Sequence, residues 1–255
     1  MIEHFMPLLG PNLVEISSGC SNEFITAAFL SMAEQRCRGL RKLEVSGARI
    51  SYANSSVLQD VVERVSTSFP VLQTLFCLEY QPSAPSLLKL SCSRTLRTLD
   101  ISLVNPESMV DLISASSEVH LFPVLRCLGL YFITELPILL LQASRFARLK
   151  VLFIHGYVKA SASEIQQFLA AISGFKSLRS LHMEIVQEIP IESPSIAPLL
   201  TLHNLRTLTI WYLPLSLPDD YTEKMISAWP SIRHLEISIP GFVATLLALR
   251  AFGRR

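Results

Sequence analysis

One short phrase recurs nine times along this chain: a large apolar residue, two variable positions, Leu or Ile, one variable position, then usually another apolar residue. Its anchors are Leu13 and Ile16; Leu40, Leu43 and Val45; Leu72, Leu75 and Cys77; Leu96, Leu99 and Ile101; and Leu125, Leu128 and Leu130. They continue as Leu149, Leu152 and Ile154; Leu178, Leu181 and Met183; Leu205, Leu208 and Ile210; and Ile232, Leu235 and Ile237. Successive first anchors lie 24 to 32 residues apart. A period of roughly 20–30 residues around such a phrase marks a leucine-rich repeat, in which every repeat supplies a strand and a helical or irregular connection. The second and third anchors are two apart and therefore share one side of a strand. The expected fold is α/β, a horseshoe-like leucine-rich repeat solenoid with a parallel concave sheet of about nine strands and outer helices. It is expected to run as a single domain over 1–255. Ser18 replaces the third anchor of the first repeat, as suits a worn or terminal one.

A further apolar residue often precedes the first anchor by three: Phe69, Phe122, Phe146, Phe175 and Trp229, with Leu202 and Cys37 as smaller versions. These read as wedges between the end of one connection and the next strand. Between phrases the spacing turns helical at Ile25, Ala28, Phe29 and Met32, at Leu58, Val61, Val62 and Val65, and at Ile165, Phe168, Leu169 and Ile172. Ser161 with Glu164 offers a capping box for the last of these. Pro106 and Pro218, each before acidic residues, read as first-turn prolines. Residues 82–92 and 184–200 carry several prolines and read as loops or short helical turns. The apolar segment 242–252 is expected to form a short helix covering the last strand.

Half the residues are hydrophobic and 17% are charged, a balance that suits repeats burying faces against two neighbours. The longest apolar stretches, 136–141 and 242–249, fall short of the roughly 18–20 residues that span a bilayer. The N-terminus lacks the basic and apolar regions of a signal peptide. The five cysteines form no C-x-x-C pair and no terminal cluster, which suits reduced thiols in cytoplasm or nucleus. Net charge is +1, so no global field favours nucleic acid. Catalysis finds no footing, because the chain has no Gly-rich phosphate loop, no G-x-S-x-G, no H-E-x-x-H and no Cys/His zinc spacing. No cofactor, metal or membrane partner is expected.

The phrases Phe122–Leu128 and Phe175–Leu181, both of the form Phe-x-x-Leu-Arg-x-Leu, together with irregular repeat lengths and Pro/Ser-rich connections, resemble the repeat region of fungal F-box proteins of the basidiomycete type. That resemblance implies a substrate-recognition solenoid of a ubiquitin ligase, whose F-box docks onto Skp1 of a cullin complex. No F-box of the Leu-Pro-x-Glu type precedes Leu13, so Skp1 and cullin are expected partners only where an F-box lies upstream. The alternative is a free-standing interaction scaffold without a ligase role.

Residues between the anchors form three columns across the strands. Their aromatic and charged members concentrate at Tyr131, Phe153, His155, His182, Glu184 and Trp211, from four consecutive repeats, and such a group has the composition of a protein interface. The competing reading folds Tyr131 and Trp211 against their neighbours or covers them with a loop. His155, His182 and Glu184 are a weak metal set; a cross-strand hydrogen bond between His155 and Glu184 is the simpler expectation. The position after the first anchor is basic at Arg41, Arg97, Arg126, Lys150, Arg179, Arg206 and Arg233, a ladder expected to be neutralised in part by Glu44, Asp100 and Glu236.

Overall fold

The computed structural model describes residues 9–19, 23–46, 64–65, 67–78, 82–103, 121–133, 135–143, 146–187, 195–213, 215 and 219–238. The chain divides into two compact lobes, Met1–Tyr131 with Ser144–Phe146, and Phe132–Ala143 with Ala147–Arg255.

The first lobe carries strands β1 (Glu15–Ser18), β2 (Lys42–Val45), β3 (Thr74–Cys77), β4 (Thr98–Leu103) and most of β5 (Cys127–Phe132). The second carries β6 (Val151–Val158), β7 (Ser180–Gln187), β8 (Thr207–Trp211) and β9 (His234–Ser238). Within each lobe strands follow sequence order, and the paired neighbours run parallel. Helices α1 (Glu23–Arg36) and α2 (Ala84–Ser91) belong to the first lobe; α3 (Ile138–Ala143), α4 (Ala162–Ser173), a 3-10 turn (Ala197–Thr201) and α5 (Asp219–Ala228) belong to the second. This is the leucine-rich repeat fold.

Burial explains why the phrase recurs. Leu43, Leu75, Leu99, Leu152, Leu181 and Leu208 are completely buried, as are the first anchors Leu40, Leu125, Leu149, Leu178 and Leu205. Fully burying one such side chain contributes about 1.5–3 kcal/mol, so the inner repeats replenish the core at the same places, whereas Leu13 of the first repeat and Ile232, Leu235 and Ile237 of the ninth are only half-buried. The wedges are buried too, with Phe69, Phe122, Phe146, Phe175, Trp229, Leu202 and Cys37 all at 6% exposure or less. Their offset of three comes from a turn: the wedge carbonyl accepts the N–H of the first anchor in Cys37–Leu40 (3.0 Å), Phe69–Leu72 (3.1 Å), Phe175–Leu178 (2.9 Å), Leu202–Leu205 (3.1 Å) and Trp229–Ile232 (3.1 Å). That is the i to i+3 bond of a β-turn. Where Ser93 stands in the wedge position, its hydroxyl accepts the Leu96 N–H instead, at 3.2 Å. Trp229 also donates its indole N–H to the Leu199 carbonyl at 3.1 Å, so this large buried ring leaves no polar atom unpaired.

Helix α4 follows its periodicity: Ile165, Phe168, Leu169 and Ile172 are fully buried, and Ser161 and Glu164 form the reciprocal capping box. Helix α1 exists where expected but turns a different face inward. Thr26, Ala27, Leu30 and Ala33 are buried, whereas Ile25, Ala28, Phe29 and Met32 are half-buried. Apolar residues surround much of this helix, so two stripes compete. The buried stripe is the one rich in small residues, and the bulkier side chains stay half-exposed.

Of the loop or short helical turn expected at 82–92, the structure has the helical form, a helix over 84–91 capped by the Ser83 hydroxyl accepting the Ser86 N–H at 3.3 Å, with proline in its first turn. Strand β7 extends to Gln187, and the 3-10 turn follows at 197. Apart from Arg64 and the buried Val65, which are helical, the helix expected at 58–65 lies outside the described residues, as do Pro106, Pro218 and the cap expected at 242–252. Among the described residues no helix is long and apolar enough to cross a membrane. Cys37, Cys77, Cys92 and Cys127 are free thiols, and burial pushes that of Cys77 up to about 12.

A candidate protein-binding face on the second lobe

Strand alternation sets which side chains reach the surface. In β6 the inward Leu152, Ile154 and Val158 are buried, and Phe153, His155 and Tyr157 point outward. Strand β7 repeats this with Leu181, Met183 and Ile185 buried beneath His182, Glu184 and Val186. The register places Phe153 beside His182, His182 beside Thr209, His155 beside Glu184, and Glu184 beside Trp211. Five of the six expected residues therefore share one face of this lobe: Phe153, His155, His182, Glu184 and Trp211. Tyr131, half-buried on β5, belongs to the first lobe.

Two contacts organise the face. The rings of Phe153 and His182 stack, 4.7 Å between centroids and 16° between planes. His155 Nδ1 lies 3.1 Å from Glu184 Oε2, the cross-strand bond the spacing suggested. Burial holds the His182 ring below the usual histidine range; the neighbouring His234 adds to this and Glu236 opposes it. A neutral, stacked imidazole belongs to an apolar surface. Among the described residues, no three His, Cys, Asp or Glu side chains are grouped to hold a metal ion.

The face is larger than its sequence outline. Tyr157, 45% exposed, extends the β6 column, and Tyr212, 50% exposed, stands beside Trp211 at 37%. Tyr157 continues the alternation of Phe153 and His155 and was within reach of a period-two reading carried past the third anchor. Tyr212 was not. It has φ of +62°, so it breaks alternation and follows an outward residue with another exposed one, while its N–H donates to the Ser238 carbonyl at 3.0 Å.

No protein-family model matches the chain, and no curated protein does either. Among solved structures, the chain is similar to the leucine-rich repeat ectodomain of the plant membrane receptor kinase GASSHO1/SCHENGEN3 from Arabidopsis thaliana, in complex with CASPARIAN STRIP INTEGRITY FACTOR 2. Identity is 14% and the TM-score 0.38; the match covers 79% of this chain and 24% of that one. The chain thus spans about a quarter of that ectodomain's length.

The acids expected to neutralise the basic ladder are engaged elsewhere. Glu44 pairs with Lys42 at 3.5 Å, and Glu236 lies 3.4 Å from His234 Nε2. Asp100 is tucked against Gly129, whose N–H donates to its carboxyl while Oδ1 is buried without a hydrogen-bond partner. Burial pushes this carboxyl up to about 6, against the lowering effect of the Gly129 bond. A Cβ on Gly129 would meet Asp100 Oδ1 at 2.2 Å, so any larger residue there would displace this carboxyl.

Proposed function

We propose that this chain is a non-catalytic protein-binding module whose partner docks on the outward sheet face of the second lobe. The observation that carries this reading is the exposure of Phe153, Tyr157 and Trp211 on one sheet face, with Tyr212 next to Trp211 in the chain, each between 37% and 50% accessible. Large aromatics on a shared surface bury much apolar area at little entropic cost, and they dominate interface energetics. The polar groups among them are already matched, His155 to Glu184 and His182 against Phe153, so covering them leaves few unpaired charges.

Assignment to a Skp1–cullin ubiquitin ligase rests on the resemblance of the Phe-x-x-Leu-Arg-x-Leu phrases to fungal F-box proteins. Co-precipitation of Skp1 with the complete gene product supports it, and an upstream coding sequence without an F-box removes it.

The binding face is tested with Trp211→Ala and Phe153→Ala. Each is expected to weaken the partner captured by the unaltered chain by about 1–2 kcal/mol or more, roughly tenfold, with the melting temperature nearly unchanged. Full affinity in both variants, or unfolding of both, removes the reading.

A further inference from the structure

Lys150, Arg179, Arg206 and Arg233 immediately precede β6, β7, β8 and β9. Their backbones are locked in register. The Lys150 carbonyl accepts the N–H groups of Arg179 (2.7 Å) and Ser180 (2.9 Å), that of Arg179 accepts Arg206 (2.7 Å) and Thr207 (3.0 Å), and that of Arg206 accepts Arg233 (2.8 Å) and His234 (3.0 Å). Four cationic side chains therefore rise from one edge of the second lobe at the strand pitch, about 4.8 Å apart and about 14 Å end to end. Arg148 and Lys176 project from the same turns, and Lys176 Nζ donates to the Thr201 hydroxyl at 2.9 Å.

No Asp or Glu occurs in the four turns, 146–150, 175–179, 202–206 and 229–233, although the chain carries 21 acidic residues. Among the described residues none of these six cations forms an ion pair. The carboxylates on the neighbouring sheet face, Glu184 and Glu236, face His155 and His234 instead. Like charges held this close repel one another, and a folded chain that leaves them unmatched gains when an anion arrives.

We propose that this edge of the second lobe binds a short acidic segment of a partner polypeptide. An extended chain of four or five residues, at about 3.4 Å each, spans the four cations. Single-stranded nucleic acid fits less well. Its binding grooves interleave cations with exposed aromatic platforms, whereas the aromatics of these turns, Phe146, Phe175 and Trp229, are buried wedges. A long polyanion also meets the acidic remainder of a chain whose net charge is only +1. The proposal stands on residues separate from the aromatic face and holds whether or not that face is occupied.

Fluorescence anisotropy on the full chain tests it, with labelled hexaglutamate as probe, hexaglutamine as the neutral control and a single-stranded oligonucleotide of matching charge as competitor. Hexaglutamate is expected to bind at low salt, with affinity falling about tenfold or more as salt rises from about 50 to 200 mM, because exposed charges are screened over a Debye length. Arg179→Glu with Arg206→Glu should lower affinity more than tenfold, and Lys89→Glu, on α2 of the first lobe, should leave it unchanged. If the double reversal does not fold, Arg179→Gln with Arg206→Gln replaces it, with an expected loss of a few-fold and an unaltered circular dichroism spectrum. No hexaglutamate binding, equal binding of hexaglutamine, undiminished binding by the edge variants, or tighter binding of the oligonucleotide would each overturn the proposal.

Discussion

Replacing Gly156 by alanine puts a methyl group where the ring of Phe132 already lies. A Cβ built on Gly156 falls 2.1 Å from Phe132 Cε2 and 2.6 Å from both Cδ2 and Cζ. Carbon atoms pack at about 3.5–4.0 Å, so the ring must retreat by more than an ångström. It has little room to do so: Phe132 is 2% exposed, and its ring meets that of the fully buried Phe168 edge-on at 6.3 Å. Overpacking of this kind costs about 1–3 kcal/mol, while removing a glycine from a strand returns about 0.5–1 kcal/mol. The net expectation for Gly156→Ala is a loss of about 1–2 kcal/mol. Urea unfolding followed by tryptophan fluorescence reads the right region, because both tryptophans, Trp211 and Trp229, lie in the second lobe. A double-mutant cycle isolates the contact. Phe132→Ala alone should cost about 3–5 kcal/mol, and adding Gly156→Ala to it should cost nothing further, since the methyl then enters the vacated space. A neutral or stabilising Gly156→Ala, or the same penalty in the Phe132→Ala background, would refute the packing described.

Asp100 supplies a pH-dependent prediction. Its folded-state value, raised to about 6, exceeds the unfolded value near 3.8, so its favourable contribution is complete below about pH 4 and is lost as pH rises through 6. The unscreened penalty at neutral pH is about 3 kcal/mol, reduced to about 1–2 kcal/mol by the group's partial solvent access. Asp100→Asn should therefore match the unaltered chain near pH 4 and melt several degrees higher at pH 7.5, as followed by circular dichroism; equal melting points at both pH values would discount the buried carboxylate. Ser161→Ala removes a cap that accepts the Glu164 N–H at 3.2 Å and should cost about 1 kcal/mol in urea unfolding. A cost below about 0.3 kcal/mol would show that α4 is held by its buried face alone.

The repeat was legible because the core imposes it. Positions such as Leu152, Leu181 and Leu208 have no solvent access, and only large aliphatic side chains fill them, so a period in the structure becomes a period in the sequence. The wedges were legible for a related reason: a β-turn fixes their distance to the anchor, and a turn is a local device. The face of α1 was not legible, because its stripes differ in side-chain size more than in hydrophobicity, and a hydrophobic period alone does not choose between them. On the candidate site, alternation found Phe153, His155, His182, Glu184 and Trp211, and extending it would have found Tyr157. Tyr212 depends on a left-handed backbone conformation at a non-glycine residue, which no periodicity encodes.

The aromatic face and the basic edge lie close enough to meet one partner. Lys150 precedes Phe153 by three residues of strand, about 10 Å, and the same offset recurs from Arg179 to His182 and from Arg206 to Thr209 along their strands. The two surfaces act through different physics. Edge charges, exposed and screened by salt, raise the rate of encounter with an acidic chain and impose direction on it. Aromatic burial does neither at long range, but it sets how slowly the complex dissociates. A polypeptide with acidic residues placed about 10 Å from an apolar cluster would satisfy both at once. A partner lacking either feature would leave a cost uncompensated: unmatched cations covered at the edge, or apolar rings left in water.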